Sequence, residues 1–599
     1  MNRDENPFSA GAVACLAAAA VFLLGILILA VRLKALQVDS SADYNYANVR
    51  QSERRVQTEG LRGRILDRNG VVLADNRTSL SIVCDVSRFR KRGWTRTVEE
   101  IEHAIEKVAK VTGLPATVTR KKIERHVHQE LARPLVCWKD VDRVALAKFF
   151  ENSRDLPGFS CKEESVRHYP FGSMASHLIG YVSRARGDVV AGDEKFNFFE
   201  PEMDGRSGVE RYYNSFLRGV PGERRIRVDA LGYAISEWTT VESAPGPDLT
   251  LTLCSRIQRA AEEVMADCKG AFVVLDPRTG DILASVSAPG YDLNAFIPYI
   301  SKEDYGALRD DPASPFLDRA MTGLYAPGST YKPIVALAAL DAGMSAEEPY
   351  TCLGVYEAGG MSLRCTSRWG HGPLEMEEAI MRSCNPYFCN LGVKIGTNEI
   401  FRVSHQFGLG SKTGIDFVND SAGVVPNADW KMSRYSERWY FGDLVQMSIG
   451  QGMLLVTPLQ MARVAGALGT GRLVTPRLKS DIPVESTKLP LSKEHFEIVR
   501  NGMFKVVNGN GIARGTGFRA GKDVPVSVSG KTGTAEIGRG ATRRKNAWFI
   551  AYAPSENPEV ALAVIVEDAE GGGIDAAPRA AAVLREVFAS RQENGGGEK

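Results

Sequence analysis

The stretch APGSTYKP, residues 326–333, sets Ser329 and Lys332 three apart between prolines and a glycine. A serine hydroxyl is a poor nucleophile near neutral pH, so a serine enzyme needs a base beside it. Pro327 and Gly328 make a turn, and Pro333 is tolerated only in the first turn of a helix, so Ser329 is expected to open one. Residues three apart share a helix face, which puts the Lys332 amine next to the Ser329 hydroxyl. The amine serves as the base only when neutral, and free lysine titrates near about 10.4. A second cation about 4 Å away, at an effective dielectric of about 20, supplies up to about 4 kcal/mol toward neutrality, and burial acts in the same direction. Lys531, in VSGKTGTAE on an expected strand, is the candidate for that cation. No histidine stands near Ser329 in a triad-like arrangement; His168 and His177 lie far upstream and read as structural.

A serine and lysine at this spacing, taken alone, are most often a solvated helix face. The pair gains weight from SerCysAsn at 383–385 and LysThrGlyThr at 531–534, downstream and in the order found in penicillin-recognising serine enzymes. A second constellation overlaps the first: Cys352, Cys365, His371 and Cys384. Three thiolates and an imidazole suit a closed, tetrahedral structural zinc, although the spacing is not that of paired CxxC motifs. A disulfide, Cys352 with Cys365 or Cys384 with Cys389, is the alternative in an oxidising compartment, and free buried thiols are the third. Cys15, Cys84, Cys137, Cys161, Cys254 and Cys268 are scattered and form no cluster in the sequence.

These residues need a scaffold, and the rest of the chain outlines it. At 599 residues the chain exceeds a single core, and a net charge of +2 without a basic tract argues against a nucleic-acid partner. Phe8 to Val31 runs without a charge and is bounded by Pro7 and by Arg32 and Lys34. As a helix it spans roughly 36 Å, enough for a bilayer core of about 30 Å, and it reads as an uncleaved signal anchor behind a short cytoplasmic tail at 1–7. The basic residues that follow it run against the positive-inside rule for an exported C-terminus, but large domains translocate despite such flanking charge.

Residues 35–245 mix short apolar runs, glycine-bearing turns and a charged, helical-looking segment around 96–150, and bring no nucleophile and base together. After ProGlyPro at 245–247 the character changes. LTLTL at 249–253 alternates like a strand, Ser255 can cap a helix through IQRAAEEVMADC, and GAFVVLDPRTGDILASVSAP reads as two strands around a turn. Strand signals return in VPVSVSGKTGT, NAWFIAYAP and VALAVIVED, followed by the helix-like APRAAAVLREVFAS and a tail at 591–599 expected to be disordered. A β-rich start and end around a helical middle predicts one α/β domain at 246–590 whose sheet joins distant segments.

The chain resembles the class B penicillin-binding proteins, and within them the elongation-type penicillin-binding protein 2. The resemblance is carried by RGRILDRNG at 62–70, YPFGSMASHLIGYV at 169–182, GRSGVERYY at 205–213 and SIGQGMLLVTPLQMA at 448–462, together with the three motifs above. It implies a transpeptidase domain with a central antiparallel sheet flanked by helices, standing on an elongated, mixed α/β, non-catalytic pedestal with a single transmembrane helix. It implies a D,D-transpeptidase of the bacterial inner membrane, with its catalytic domain outside the cytoplasm and no cofactor in the chemistry. Ser329 would attack the penultimate D-Ala carbonyl and Lys332 would take its proton. Ser383 would relay a proton to the leaving amine, and Asn385 would hydrogen-bond the donor peptide. Lys531, Thr532, Gly533 and Thr534 would receive the terminal carboxylate, with the Ser329 and Thr534 amides as oxyanion hole. β-Lactams would acylate Ser329, and a SEDS-type membrane glycosyltransferase would be the partner. The resemblance also raises the zinc reading, since some elongation-type members hold a metal at this place. A β-lactamase or D,D-carboxypeptidase, and a silent β-lactam sensor or scaffold, are the competing readings; the long pedestal and the lack of an assignable deacylating acid argue against the first.

Overall fold

The computed structural model describes residues 10–39, 41–42, 52–184, 197–199, 203–417, 420–538 and 543–595. The short tail expected at 1–7 lies outside the described residues. Helix α1, Ala10–Lys34, is apolar on every side, with Leu16, Phe22 and Leu29 all exposed, and its last turn carries Arg32 and Lys34. A surface helix of a water-soluble domain shows a polar face; this one shows none, as a bilayer-facing helix requires.

Among the described residues the pedestal holds two larger sheets and a two-stranded pair, Val182–Arg184 with Met203–Gly205. Strand β1, Glu53–Thr58, pairs in parallel with β6, Asn197–Phe199, and antiparallel with β7, Gly222–Val228; β8, Ala234–Val241, forms the exposed edge. In the other sheet β3, Val72–Cys84, is flanked by β4, Leu135–Trp138, and β5, Phe159–His168, and its first half pairs with β2, Ile65–Leu66. The charged segment around 96–150 is not one helical run. Helix α2, Trp94–Thr112, buries Val98, Ile101, Ile105 and Val108 at helical spacing in a core shared with β3 and β4, and β4 itself interrupts the helices.

Three of the pedestal stretches converge on one buried carboxylate. Glu210 takes Arg62 Nε on one oxygen at 2.7 Å and Arg167 Nε on the other at 2.8 Å, and the Tyr169 hydroxyl donates to it at 3.3 Å. Burial pushes the Glu210 carboxyl up, and the Arg167 and Arg62 guanidiniums outweigh it, holding the group below its ordinary value. Arg62 comes from RGRILDRNG, Arg167 and Tyr169 from RHYPFG, and Glu210 from GRSGVERYY, so segments far apart in sequence are pinned together by charge.

Strand β9, Leu249–Thr250, continues the pedestal by pairing in parallel with β2, so only the first residues of LTLTL form a strand. Leu251 and Leu253 are buried in the main core instead. Helix α3, Ser255–Met265, follows. Ser255 does not cap it: Cys254 holds the cap position, and the Ser255 hydroxyl donates to Asp67 of the pedestal at 2.8 Å. His177 is likewise structural, its Nε2 within 2.6 Å of the Pro315 carbonyl.

The second domain is built on a five-stranded antiparallel sheet. Its strands are β10, Gly270–Leu275, β11, Ile282–Ala288, β12, Ser529–Ile537, β13, Arg544–Ala553, and β14, Val560–Val566, in the spatial order β11-β10-β14-β13-β12. The two ends of the domain's sequence therefore make one sheet, as the pattern predicts. Helix α4, Lys332–Asp341, and helix α5, Pro458–Thr470, are buried almost throughout; the first is apolar from Pro333 to Leu340, and the second encloses Gln460 and Arg463 among its small and apolar residues. Helix α6, Ala577–Gly595, closes the domain; the tail expected to be disordered from 591 is helical to Gly595, and 596–599 lie outside the described residues.

Replacing Glu210 with Gln leaves two buried guanidiniums without their counter-ion, and breaking such a pair typically removes about 3–5 kcal/mol. Glu210→Gln is expected to lower the thermal unfolding transition of the full chain in detergent by several degrees; a transition unchanged within 1 °C (about the precision of such a scan) would contradict this role.

Candidate active site

Ser329 sits on a tight turn, Gly328–Tyr331, that runs straight into α4. Pro333 falls in the first turn of that helix, where its missing N–H leaves no carbonyl unpaired. Gly328 adopts a φ of +54°, and a Cβ there would lie 2.8 Å from the Thr534 carbonyl oxygen, so only glycine lets the turn close on β12. The matching glycine on the strand is Gly533, where a Cβ would meet Thr330 Cγ2 at 2.9 Å and the Pro327 oxygen at 3.0 Å. Turn and strand thus approach backbone to backbone.

Lys332 is fully buried. Its Nζ donates to the Ser383 carbonyl at 2.8 Å, to Ser383 Oγ at 3.3 Å and to Asn385 Oδ1 at 2.7 Å. No hydrogen bond joins it to Ser329 among the described residues. Three donors on three acceptors is the arrangement of the ammonium form; the neutral amine has a lone pair to turn toward Ser329. Burial pulls Lys332 down to about 8, while the sulfurs of Cys384, Cys389 and Cys365 act in the opposite sense. Lys531 is fully buried too, and is held well below its ordinary range by burial first and by the Lys332 charge second. Desolvation is thus the first cause of the lowering at both lysines, and the repulsion between them belongs to the pair.

Ser383 has a φ of +54°, a left-handed conformation that is uncommon outside glycine, between the helix Met376–Met381 and the helix Asn385–Gln406. Strained backbone of this kind needs surrounding contacts to hold it. Ser383 N bonds back to the Ile380 carbonyl, Cys384 N to that of Ala379, and Asn385 Nδ2 donates to the Arg364 carbonyl at 3.1 Å. On the strand side Lys531 Nζ donates to the Thr532 carbonyl at 2.9 Å, and Thr532 Oγ1 lies 2.8 Å from Thr516 Oγ1.

Three contributors, Thr516, Gly450 and Gln451, are not singled out by residue type. Thr516 has no sequence signal. Gly450 and Gln451 lie in the GlyGlnGly turn: Gly450 accepts from Gly328 N at 2.8 Å, and Gln451 Nε2 donates to the Thr534 carbonyl at 3.3 Å. The paired glycines of that turn, both at a φ of +74°, were the available signal.

Cys352, Cys365, His371 and Cys384 come together as the zinc reading requires. One ligand atom from each lies within 4.8 Å of the others. Cys365 Sγ is 3.5 Å from His371 Nδ1 and 4.0 Å from Cys384 Sγ, close to the edge of about 3.8 Å that a tetrahedron with Zn–S bonds of about 2.3 Å requires. Two small hairpins explain the irregular spacing. Pairing of Tyr350–Cys352 with Gly372–Leu374 brings His371 to Cys352, and pairing of Val355–Ala358 with Met361–Arg364 returns the chain to Cys365. All described cysteines are free thiols, so neither proposed disulfide is formed. The donor set fits a metal, and because Arg364 and Cys384 adjoin its ligands or supply one, such an ion would brace Asn385 and Ser383 from behind.

A serine on a helix-opening turn, a buried lysine one turn on, and a lysine-bearing edge strand beside them define a serine acyltransferase of the penicillin-interacting class. Comparison with known proteins makes this specific. Residues 57–251 match the penicillin-binding protein dimerisation domain and residues 270–585 the penicillin binding protein transpeptidase domain. The chain is 32% identical over 610 residues to the peptidoglycan D,D-transpeptidase MrdA of Escherichia coli, covering 95% of this chain and 93% of that protein. It is 30% identical over 608 residues to MrdA of Acinetobacter baumannii, covering 96% and 88%. Among solved structures it resembles penicillin-binding protein PBP2 of Helicobacter pylori in complex with MreC, with a TM-score of 0.75 and 26% identity, covering 90% of this chain and 100% of that one. Pseudomonas aeruginosa PBP2 in complex with WCK 5153 gives a TM-score of 0.65 and 28% identity, covering 89% and 96%. The chain belongs to the class B penicillin-binding proteins, in the PBP2 branch of peptidoglycan D,D-transpeptidases.

The Gly450 turn offers a test of the geometry. An alanine Cβ there would lie 2.0 Å from the Gly328 carbonyl oxygen. Displacing the nucleophile's turn by about 1 Å lowers rates by up to about 100-fold. Gly450→Ala is therefore expected to slow acylation by benzylpenicillin at least tenfold while the protein still folds, and an unchanged acylation rate would contradict the packing described.

Proposed function

We propose that this peptidoglycan D,D-transpeptidase works with Ser329 as nucleophile and Lys332, in its neutral form, as base. Ser329 Oγ attacks the penultimate D-Ala carbonyl of a donor stem peptide and passes its proton to Lys332. The tetrahedral oxyanion is held by the Ser329 and Thr534 amides, each such donor being worth about 100- to 1,000-fold in rate. Ser383 relays a proton to the leaving D-Ala amine, and Asn385 holds the donor backbone. Lys531, Thr532, Gly533 and Thr534 form the terminal-carboxylate site, with Lys531 charged when the carboxylate is bound. The acceptor amine then attacks the acyl-enzyme, the new amide forms as the Ser329 ester bond breaks, and the proton returns to Ser329. One observation carries this reading: the buried Lys332 amine is hydrogen-bonded to both Ser383 and Asn385, which unites two of the three sequence motifs in a single proton-transfer cluster.

We assign the anchor to 8–31, the pedestal to 35–245 and the transpeptidase domain to 246–590, the last two lying outside the cytoplasmic membrane. The partner on this reading is a SEDS-type glycosyltransferase in the same membrane. Support comes from a structural relative reported as a peptidoglycan synthase complex coordinating polymerisation and crosslinking, with a TM-score of 0.70 and 27% identity. The MreC complex of the Helicobacter pylori relative makes an MreC-like protein a second candidate for the pedestal. Cys352, Cys365, His371 and Cys384 are assigned to a structural zinc, which takes no part in the chemistry.

Mass spectrometry of the benzylpenicillin adduct tests the nucleophile. The added mass is expected on the tryptic peptide containing Ser329 and absent from Ser329→Ala; its appearance on another side chain would overturn the assignment. For the metal, elemental analysis of the purified protein is expected to give about one zinc per chain, lost in Cys352→Ser, as a closed four-ligand site requires. Protein free of zinc with these thiols oxidised would favour the disulfide.

A further inference from the structure

Trp548 lies on β13 directly opposite Gly533 of β12, and its side chain is fully buried. An indole is large, rigid and apolar except for one N–H, which finds an acceptor when it is buried. Here Nε1 donates to the Ala326 carbonyl at 3.0 Å, although the two residues are 222 positions apart in the chain. Ala326 stands three residues before the nucleophile, in the segment that leads into its turn.

The rest of that segment is tied down on other sides. Tyr325 exchanges both backbone hydrogen bonds with Val456 at 2.9 Å, and the Gly328 N–H donates to the Gly450 carbonyl at 2.8 Å. Pro327, between them, has no N–H to give, so the Ala326 carbonyl is the handle by which the sheet grips this stretch. The Tyr325 ring meets the indole edge-on, with centroids 6.1 Å apart, and its hydroxyl donates to Glu567 at 2.8 Å. Below the indole, a Cβ on Gly533 would lie 3.1 Å from Trp548 Cβ and 3.0 Å from the Pro327 oxygen. Strand, indole and turn therefore meet at one point.

We propose that Trp548 is a positioning residue for the oxyanion hole, its indole N–H fixing the nucleophile's turn where the Ser329 and Thr534 amides converge on one oxygen. The inference rests on those two amides as the hole. Such a hole works when both donors lie about 2.7–3.1 Å from the place where the oxyanion forms. Gly533 immediately precedes Thr534, and Ala326 leads to Ser329, so one rigid side chain touches the carriers of both donors. Trp548 meets neither substrate nor reacting atoms; it acts through Ala326 and Gly533. Its loss leaves both amides in place and changes the distance between them, a defect felt in the transition state more than in binding.

The test uses two replacements of Trp548 in the full chain. Trp548→Phe removes the N–H and part of the ring, whereas 3-benzothienylalanine at this position keeps the two-ring shape and removes the N–H alone. In both, the benzylpenicillin acylation rate constant at saturation is expected to fall about tenfold, with the half-saturating concentration within twofold of the parent. The isotope-edited infrared band of the acyl-enzyme ester carbonyl is expected to move to higher wavenumber in both, as one of its hydrogen bonds lengthens. A merely structural role would lower the thermal unfolding transition and leave the rate constant and the band unmoved. In the benzothienyl variant, a saturating rate constant within twofold of the parent, or an unshifted band, would overturn the proposal. A parent band already at the position of an unbonded ester would overturn the oxyanion-hole assignment, and the inference with it.

Discussion

The proposed catalytic site depends on an amine buried without a carboxylate. Lys332 is fully enclosed, and its partners are a carbonyl, a hydroxyl and an amide oxygen, none of which carries a charge. Hydrogen bonds keep the ammonium tolerable, but they do not repay full desolvation, and the balance shifts toward the neutral amine. With Lys332 at about 8, about a tenth of the molecules hold the neutral base at pH 7. An aspartate in this cluster would stabilise the fold locally and disable the base.

The scaffold can be read as what is needed to bury that amine at a fixed place. Helix α4 is apolar on every side, so it is enclosed by the core, and Lys332 at its first turn is enclosed with it. Gly328, Gly450 and Gly533 let the nucleophile's turn, the GlyGlnGly turn and the edge strand meet at backbone distance. A metal at the Cys/His cluster would hold the two hairpins against Asn385 and Ser383, on the side of the site where Ser383 adopts its left-handed backbone. The pedestal follows the opposite electrostatic logic. There Glu210 is buried with two arginines, so its charge is matched and the segments are locked rather than made reactive. The matched charge locks the pedestal, and the proposed mechanism draws on the unmatched one.

Much of this is legible in the amino-acid sequence. The serine and lysine spacing, the downstream SerCysAsn and LysThrGlyThr and the apolar anchor rest on local rules of helix geometry and hydrophobic length, and local rules transfer. The joining of Gly270–Leu275 with Ser529–Ile537 into one sheet followed from strand patterns at both ends of the domain. What failed was non-local. Ser255 has the type of a helix cap, yet Asp67, far away in sequence, claims its hydroxyl. The short strand Leu135–Trp138 was hidden inside a charged helical region because its register is set by Val72–Cys84 and not by its own alternation. The sequence also carries no measure of burial, which is the first cause of the lowering at both Lys332 and Lys531.

The neutral-lysine mechanism is tested most directly by the pH dependence of the acylation rate constant at saturating benzylpenicillin, where substrate binding no longer enters. Lys332 is depressed to about 8, so the base gains its free form as pH rises through that value. The account predicts a rate constant that climbs roughly tenfold between pH 7 and 9 and then levels off. A rate constant flat from pH 6 to 9, or one still rising log-linearly past pH 10 as for an exposed lysine, would contradict it.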